Sequence, residues 1–223
     1  MSNVVIIGGG AAGMAAAAGA AEAGHRVSIY EKNEKLGKKI YITGKGRCNV
    51  TNGCAVEDFF SHVVTNGKFL YSAVYGFTNT DLMALLEESG CPLKVERGER
   101  VFPVSDKSSD IIAAWNRRLK KDGVEIHLNE PVSEILTEDG RAVGILLEKG
   151  RRRVLADAVI LATGGLSYPS TGSTGDGYRF AKETGHTVTE LSPALVPFTC
   201  KEEDVKAMQG LSLRNIEATV RDG

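Results

Sequence analysis

The sequence predicts an α/β chain built on a parallel central sheet, and three stretches carry that reading. The first thirty-one residues run strand, glycine turn, helix, strand, acid. Two further apolar strands, at Val124–Leu128 and Asp157–Ala162, follow helix-like or hairpin segments rather than pairing locally. The 223-residue chain has ordinary composition, 42% hydrophobic and 25% charged, which fits one large domain or one domain with part of another.

Val4–Ile7 is a short apolar run bounded by glycine, as expected of a strand buried on both faces. Gly8-Gly9-Gly10-Ala11-Ala12-Gly13 contains Gly-x-Gly-x-x-Gly and opens an alanine-rich helix, Met14–Ala23, which Gly24 ends. The strand Arg26–Tyr30 terminates in Glu31, eighteen residues past Gly13. This order predicts a Rossmann-like dinucleotide-binding unit. Gly8 permits the sharp turn, Gly10 leaves no side chain between backbone and pyrophosphate, and Gly13 lets the helix approach the sheet. The helix amides then face the phosphates. A carboxylate at Glu31 suits a ribose hydroxyl and repels a 2′-phosphate.

The stretch Thr43–Asn52 is dense in glycine, cations and small polar groups. It suits either a wrap around an anionic ligand or a solvated loop. Val56–Val63 and Lys68–Phe77 read as helices. Asn79 or Thr80 is expected to cap a helix over Asp81–Ser89, closed by Gly90 and Pro92. Leu93–Glu96 and Arg100–Pro103 read as a hairpin. Ser105 or Asp106 is expected to open a helix running to Lys121, with Ile111, Ile112, Trp115 and Leu119 on its core face.

Val124–Leu128 is expected to be the third parallel strand, with Pro131-Val132 at its carboxyl end. Ser133–Glu138 and Ala142–Glu148 alternate around Asp139-Gly140, a hairpin that Arg152–Leu155 extends into a small antiparallel meander. Arg151 to Arg153 read as a solvated strand edge. Asp157–Ala162 is expected to be buried, running into Thr163-Gly164-Gly165. A Gly/Ser/Thr-rich loop, Tyr168–Gly177, precedes a helix over Tyr178–Thr184. The character changes around Pro193 and Pro197, which divides the chain into 1–192 and 193–223.

Net charge is −1, so composition points to no nucleic-acid partner. No apolar run reaches a membrane span, and the opening segment makes a poor signal peptide. Cys48, Cys54, Cys91 and Cys200 form no Cys-x-x-Cys pair, and no histidine stands at metal-ligand spacing from them, so no metal site and a reducing, cytoplasmic setting are expected. Cys48 reads better as a small packed thiol than as a redox centre. No residue presents itself as a general acid or base, and the oligomeric state cannot be read.

The glycine motif, Glu31-Lys32, Ala162-Thr163-Gly164-Gly165 and above all Thr43-Gly44-Lys45-Gly46-Arg47-Cys48-Asn49-Val50-Thr51-Asn52 resemble the two-dinucleotide-binding-domain flavoproteins. Within these, the chain resembles the BaiN-like NAD(P)/FAD-dependent oxidoreductases, the aminoacetone-oxidase-type FAD-binding enzymes. The resemblance implies FAD, with NAD(P)H as a possible electron donor and a small-molecule substrate, such as an unsaturated or oxo-containing ring compound. It implies that Gly8, Gly10, Ala11, Ala12 and Gly13 cradle the pyrophosphate and that Glu31 holds the adenosine ribose, beside Lys32 and Lys38. Gly44, Arg47, Cys48 and Asn49 would follow the ribityl chain toward the flavin, Val132 would meet the adenine, and Thr163 and Gly164 would close over the cofactor. It also implies a longer protein, in which residues 193–223 are the incomplete start of an inserted substrate domain. A non-catalytic nucleotide-binding module is the alternative.

Overall fold

A computed structural model describes residues 1–193 and 201–211 and positions 213, 216, 217 and 219. The chain divides into two units, Met1–Val188 and Thr189–Gly223. Leu195, Val196, Pro197 and Phe198, on which the expected change of character rests, lie outside the described residues, as does Cys200.

The first unit opens with β1 (Asn3–Ile7), α1 (Ala11–Glu22) and β2 (Arg26–Glu31). A 3₁₀ stretch at Ile40–Gly46 leads to β3 (Thr51–Asn52), α2 (Val56–Phe59), α3 (Tyr71–Gly76) and α4 (Asn79–Glu88). The hairpin β4 (Leu93–Glu96) and β5 (Arg100–Pro103) has the predicted boundaries, and α5 (Ser108–Lys121) and β6 (Glu125–Leu128) follow. Next come β7 (Val132–Glu138), β8 (Arg141–Leu147), β9 (Arg153–Leu155), β10 (Ala158–Leu161) and α6 (Asp176–Glu183). The second unit contributes α7 (Asp204–Ala207).

The main sheet is parallel, in the order β10-β1-β2-β6. Side chains alternate across β1. Val4 and Ile6 enter a core with Val27 and Ile29 of β2, Met14 and Ala17 of α1, and Trp115 and Leu119 of α5. Val5 and Ile7 face the other way, into a core with Tyr30, Ile145, Leu147 and Phe180. Helices α1 and α5 thus cover one face, and the antiparallel β7-β8-β9 meander with Phe180 of α6 covers the other. With both faces covered, β1 can be apolar throughout, and a fully buried Ile6 or Ile29 contributes about 1.5–3 kcal/mol.

Four local expectations are corrected. The strand at 157–162 is not buried: as the outer strand β10 it pairs, among the described residues, with β1 alone and leaves Leu161 37% exposed. Thr78, not Asn79 or Thr80, caps α4. Its hydroxyl accepts from Asp81 N (3.1 Å) while the Asp81 carboxylate accepts from Thr78 N (2.8 Å), a reciprocal capping box. Asn79 instead donates to the carbonyls of Asn52 and Cys54. Helix α5 starts at Ser108 because Asp106, at φ 57°, is held by Lys94 and Arg47. The helices expected at 56–63 and 68–77 are short α and 3₁₀ turns, separated at Asn66 in the left-handed region.

Candidate functional site

A cavity of about 730 Å³ opens where β1, β2 and β10 end, and the segments after β6 and before α6 complete its wall. Open α/β sheets bind ligands at this edge. The β1–α1 turn forms one wall, and its glycines have different duties. A Cβ on Gly8, at φ +103°, would stand 2.5 Å from the Ala162 carbonyl oxygen, and one on Gly13 would stand 1.9 Å from that of Gly8. These two make backbone-to-backbone packing possible. A Cβ on Gly10 would meet nothing within 4 Å, so this glycine keeps space open beside the cavity. Gly10 is also the N-cap of α1. No side chain caps that helix end and no acid lies in its first turn, so its amides are left for a ligand.

Glu31 ends β2 with only 7% of its surface exposed. Its Oε2 accepts from Gly9 N (2.7 Å), and its Oε1 accepts from Asn33 N (2.8 Å) and Asn33 Nδ2 (2.6 Å). A carboxylate can accept about four hydrogen bonds, so one position on Oε2 stays available. Lys32 Nζ reaches across to Asp176 Oδ2 (2.6 Å) and Thr174 Oγ1 (2.7 Å). Burial pushes the Asp176 carboxyl up, but the hydrogen bond and charge of Lys32 outweigh it and hold the group below the usual carboxylate range. Lys38 donates to Asn33 Oδ1 and Glu34 Oε2, both at 3.3 Å. Thr163 Oγ1 is buried and has no hydrogen-bond partner among the described residues.

The cavity wall thus gathers Gly8, Gly10, Ala11, Ala12, Glu31, Lys32, Lys38, Val132, Thr163 and Gly164. Five other expected residues are not brought to it. Gly13 lies beneath the turn. Gly44, at φ +56°, packs toward Asn49 N, 2.9 Å from where its Cβ would be. Arg47 turns to acids: its Nε and Nη2 donate to Asp106 Oδ1 (2.9 and 2.6 Å), Nη2 also bonds Glu96, and the guanidinium lies 4.1 Å from the Phe102 ring centre. Hydrogen bonds to Glu96 and Asp106 raise the Arg47 pKa, while the bond from Arg47 lowers that of Glu96 and bonds from Lys94 and Arg47 lower that of Asp106. Cys48 is 5% exposed within the core, and burial pushes its thiol up. The Asn49 amide, with its nitrogen facing them, donates to the carbonyls of Thr51 (3.1 Å) and Val101 (3.3 Å).

The same long loop does reach the cavity, through Gly37 to Ile40 and Thr43. Of these, sequence reasoning singled out only Lys38 as a site residue, and it did not single out Asn33, Ser173, Asp176 and Arg179, which also line the cavity. The Gly/Ser/Thr-rich character of 168–177 was the available signal for Ser173 and Asp176. No helix among the described residues is long and apolar enough to cross a membrane.

Residues 2–220 match the family profile described as HI0933-like protein Rossmann domain. The chain is 33% identical over 216 residues to a ribosomal RNA dihydrouridine synthase of Haemophilus influenzae, covering 95% of this chain and 53% of that protein. It is 32% identical over 213 residues to the 3-dehydro-bile acid delta(4,6)-reductase of Clostridium scindens, covering 95% and 51%. The chain therefore spans about half the length of these curated relatives. Among solved structures, Sdh1 of Mycobacterium smegmatis superposes with a TM-score of 0.63 at 25% identity, covering 82% of this chain and 38% of that one. The 3-ketosteroid delta1-dehydrogenase of Sterolibacterium denitrificans gives 0.62 at 15% identity, covering 82% and 55%, a likeness of fold.

Proposed function

This chain belongs to the HI0933-like family of Rossmann domains, and from that premise we propose that it is the FAD-binding portion of a flavin-dependent oxidoreductase. The observation that carries the reading is the open space beside Gly10 at an uncapped helix start, with the Glu31 carboxylate fixed on the same cavity. These residues fit a dinucleotide diphosphate and its sugar. The Thr163 hydroxyl, without a partner among the described residues, adds a polar group with unused hydrogen-bonding capacity.

When bound, FAD supplies the two-electron redox chemistry. The chain's own part is to bind and orient. The amides of Gly10, Ala11 and Ala12 would face the diphosphate, and Glu31 would accept from a ribose hydroxyl through Oε2. Val132 and Thr163-Gly164 would bound the cavity on its other sides. Gly44, Arg47, Cys48 and Asn49 would act on the cofactor through the shape of their loop, because Gly44 has no side chain and those of Arg47, Cys48 and Asn49 are engaged elsewhere.

The reaction class follows from what the relatives' names have in common. Dihydrouridine is uridine with hydrogen added across a ring carbon–carbon double bond, and a delta(4,6)-reductase also acts on ring double bonds. The whole protein is therefore proposed to reduce a double bond conjugated with a carbonyl in a ring compound, adding a hydride and a proton, with NAD(P)H as the electron donor and the bound flavin as the group that would supply the redox chemistry. The near-zero charge of this chain does not exclude RNA as carrier of that ring, because two relatives named for ribosomal RNA match it at 33% and 31% identity. Residues 193–223 would begin a second domain.

The test is to titrate the protein with FAD, then add NADH or NADPH without oxygen. Yellow colour with a flavin absorbance band, bleached by either nucleotide, is expected. Reoxidation by a ring enone or by uridine-containing RNA would then name the acceptor. Binding of NAD with no uptake of FAD would overturn the assignment.

A further inference from the structure

Asn33 stands in the polar run after β2, where nothing in the local sequence marks it. Its Nδ2 donates to Glu31 Oε1 (2.6 Å) and to the Thr171 carbonyl (3.3 Å), while its backbone N–H also donates to Glu31 Oε1 (2.8 Å). Its Oδ1 accepts from Lys38 Nζ (3.3 Å), and its carbonyl accepts from Asn129 N (3.0 Å). Gly172 has no side chain where a Cβ would lie 2.6 Å from Asn33 Nδ2. The side-chain amide therefore joins three parts of the cavity surround, the acid of β2, the cation of the next loop and the strap before α6, while the backbone carbonyl of the same residue ties in the segment after β6.

The job needs this residue type. Two donors must serve a carboxylate and a backbone carbonyl while an acceptor on the same group serves an ammonium, and only a primary amide offers both polarities at this reach. With both Asn33 bonds on Oε1 and Gly9 N on Oε2, the Glu31 carboxylate cannot rotate, and its free acceptor position has one direction. We propose that Asn33 is a positioning residue, which aims Glu31 and locks the Thr171–Gly172 strap against it, so that a sugar hydroxyl meets a preset acceptor. This rests on the dinucleotide reading above.

The discriminating variant is Asn33→Asp, which keeps shape and replaces the donors by a second carboxyl against Glu31. Two carboxyl groups in contact share a proton, so at acid pH the new group can donate to Oε1, and as pH rises it ionises and repels. The other charged groups nearby are Lys38 and Glu34 in the loop, Lys32 with Asp176 of α6, and Glu130 after β6; Lys38 offsets part of the repulsion. His127, stacked on Tyr30 at 4.5 Å, is common to all the variants, and the unmodified protein is its control.

FAD affinity and the melting temperature of the cofactor-free protein are measured from about pH 5.5 to about pH 8, with Asn33→Ala alongside. Relative to the unmodified protein, Asn33→Asp is expected to bind almost normally at the acid end and at least ~10-fold more weakly at the other. Asn33→Ala should show a deficit that does not vary with pH. Pairs of curves that stay parallel for both variants, or no deficit in either, would overturn the proposal. If the unmodified protein takes up no FAD, the dinucleotide reading fails. The melting curves then decide alone, since a pH-dependent loss confined to Asn33→Asp still requires the contact with Glu31.

Discussion

A side chain on Gly13 would bring its Cβ to 1.9 Å from the carbonyl oxygen of Gly8, so α1 and the end of β1 touch backbone to backbone. Gly10, three residues earlier on the same turn, touches nothing with the equivalent atom. Alanine at the two positions should therefore fail in different ways. Gly13→Ala is expected to lower folding stability by about 3 kcal/mol, because backbone rather than a side-chain end must move. Gly10→Ala should leave stability within about 0.5 kcal/mol, as its φ of −77° suits any residue, yet weaken FAD binding at least ~10-fold by filling the space meant for the diphosphate. Urea denaturation and a flavin titration on both variants check this, and equal behaviour would show that the turn is only structural.

The contrast between these two glycines was readable before any coordinates, because a strand-glycine-helix order forces both close packing and an exposed helix end. Other parts were not readable, for physical reasons. The family resemblance sets Arg47 along the cofactor, and its loop of cations and glycines suits an anionic ligand or solvent alike, but its partners Glu96 and Asp106 lie 49 and 59 residues further on. Local composition does not reveal such pairings. Asn33 is one amide in a polar run, with no period or spacing to mark it. The exposure of β10 depends on its place at the sheet edge, a property of strand order rather than of its apolar sequence.

Arg47, Glu96, Asp106 and Lys94 form a linked set of ion pairs over Phe102. The carboxyls of Glu96 and Asp106 are held below their ordinary values by hydrogen bonds from Arg47 and Lys94. A carboxylate with a depressed folded pKa contributes stability above its unfolded value and loses it as pH falls. The gap in melting temperature between the protein and Arg47→Ala should therefore be present at neutral pH, shrink as pH drops below about 4, and narrow in high salt. Because the side chain points away from the cavity, FAD affinity should change less than ~3-fold. A pH-independent gap, or loss of flavin, would put Arg47 at the cofactor.

Cys48 lies in the core under the loop, and desolvation raises its thiol pKa, as it does that of Cys91. Little thiolate then forms at neutral pH. Maleimide labelling of the native protein followed by mass spectrometry should find Cys54, which is half-buried, modified well before Cys48 and Cys91. Denaturant should equalise them. Cys48→Ala is expected to lower stability by about 1 kcal/mol and leave FAD affinity intact. Rapid labelling of Cys48 that FAD blocks would reverse this placement.

Lys32 and Asp176 join the end of β2 to the first turn of α6, 2.6 Å apart and each about one-third exposed. The pair closes one side of the cavity that Glu31 and Thr163 also line. Ion pairs exposed to this degree contribute modestly, so a double-mutant cycle of Lys32→Met and Asp176→Asn should give a coupling of about 0.5–1 kcal/mol in stability. The effect on binding should be larger than on stability, because the tie fixes the cavity wall as well as the fold. Lys32→Met is expected to speed release of FAD by ~5-fold or more and to raise hydrogen exchange in 171–178, while exchange in the strands stays unchanged. If release speeds up with no change in that exchange, Lys32 acts on the cofactor through its own charge rather than through Asp176, and the cycle should then show no coupling.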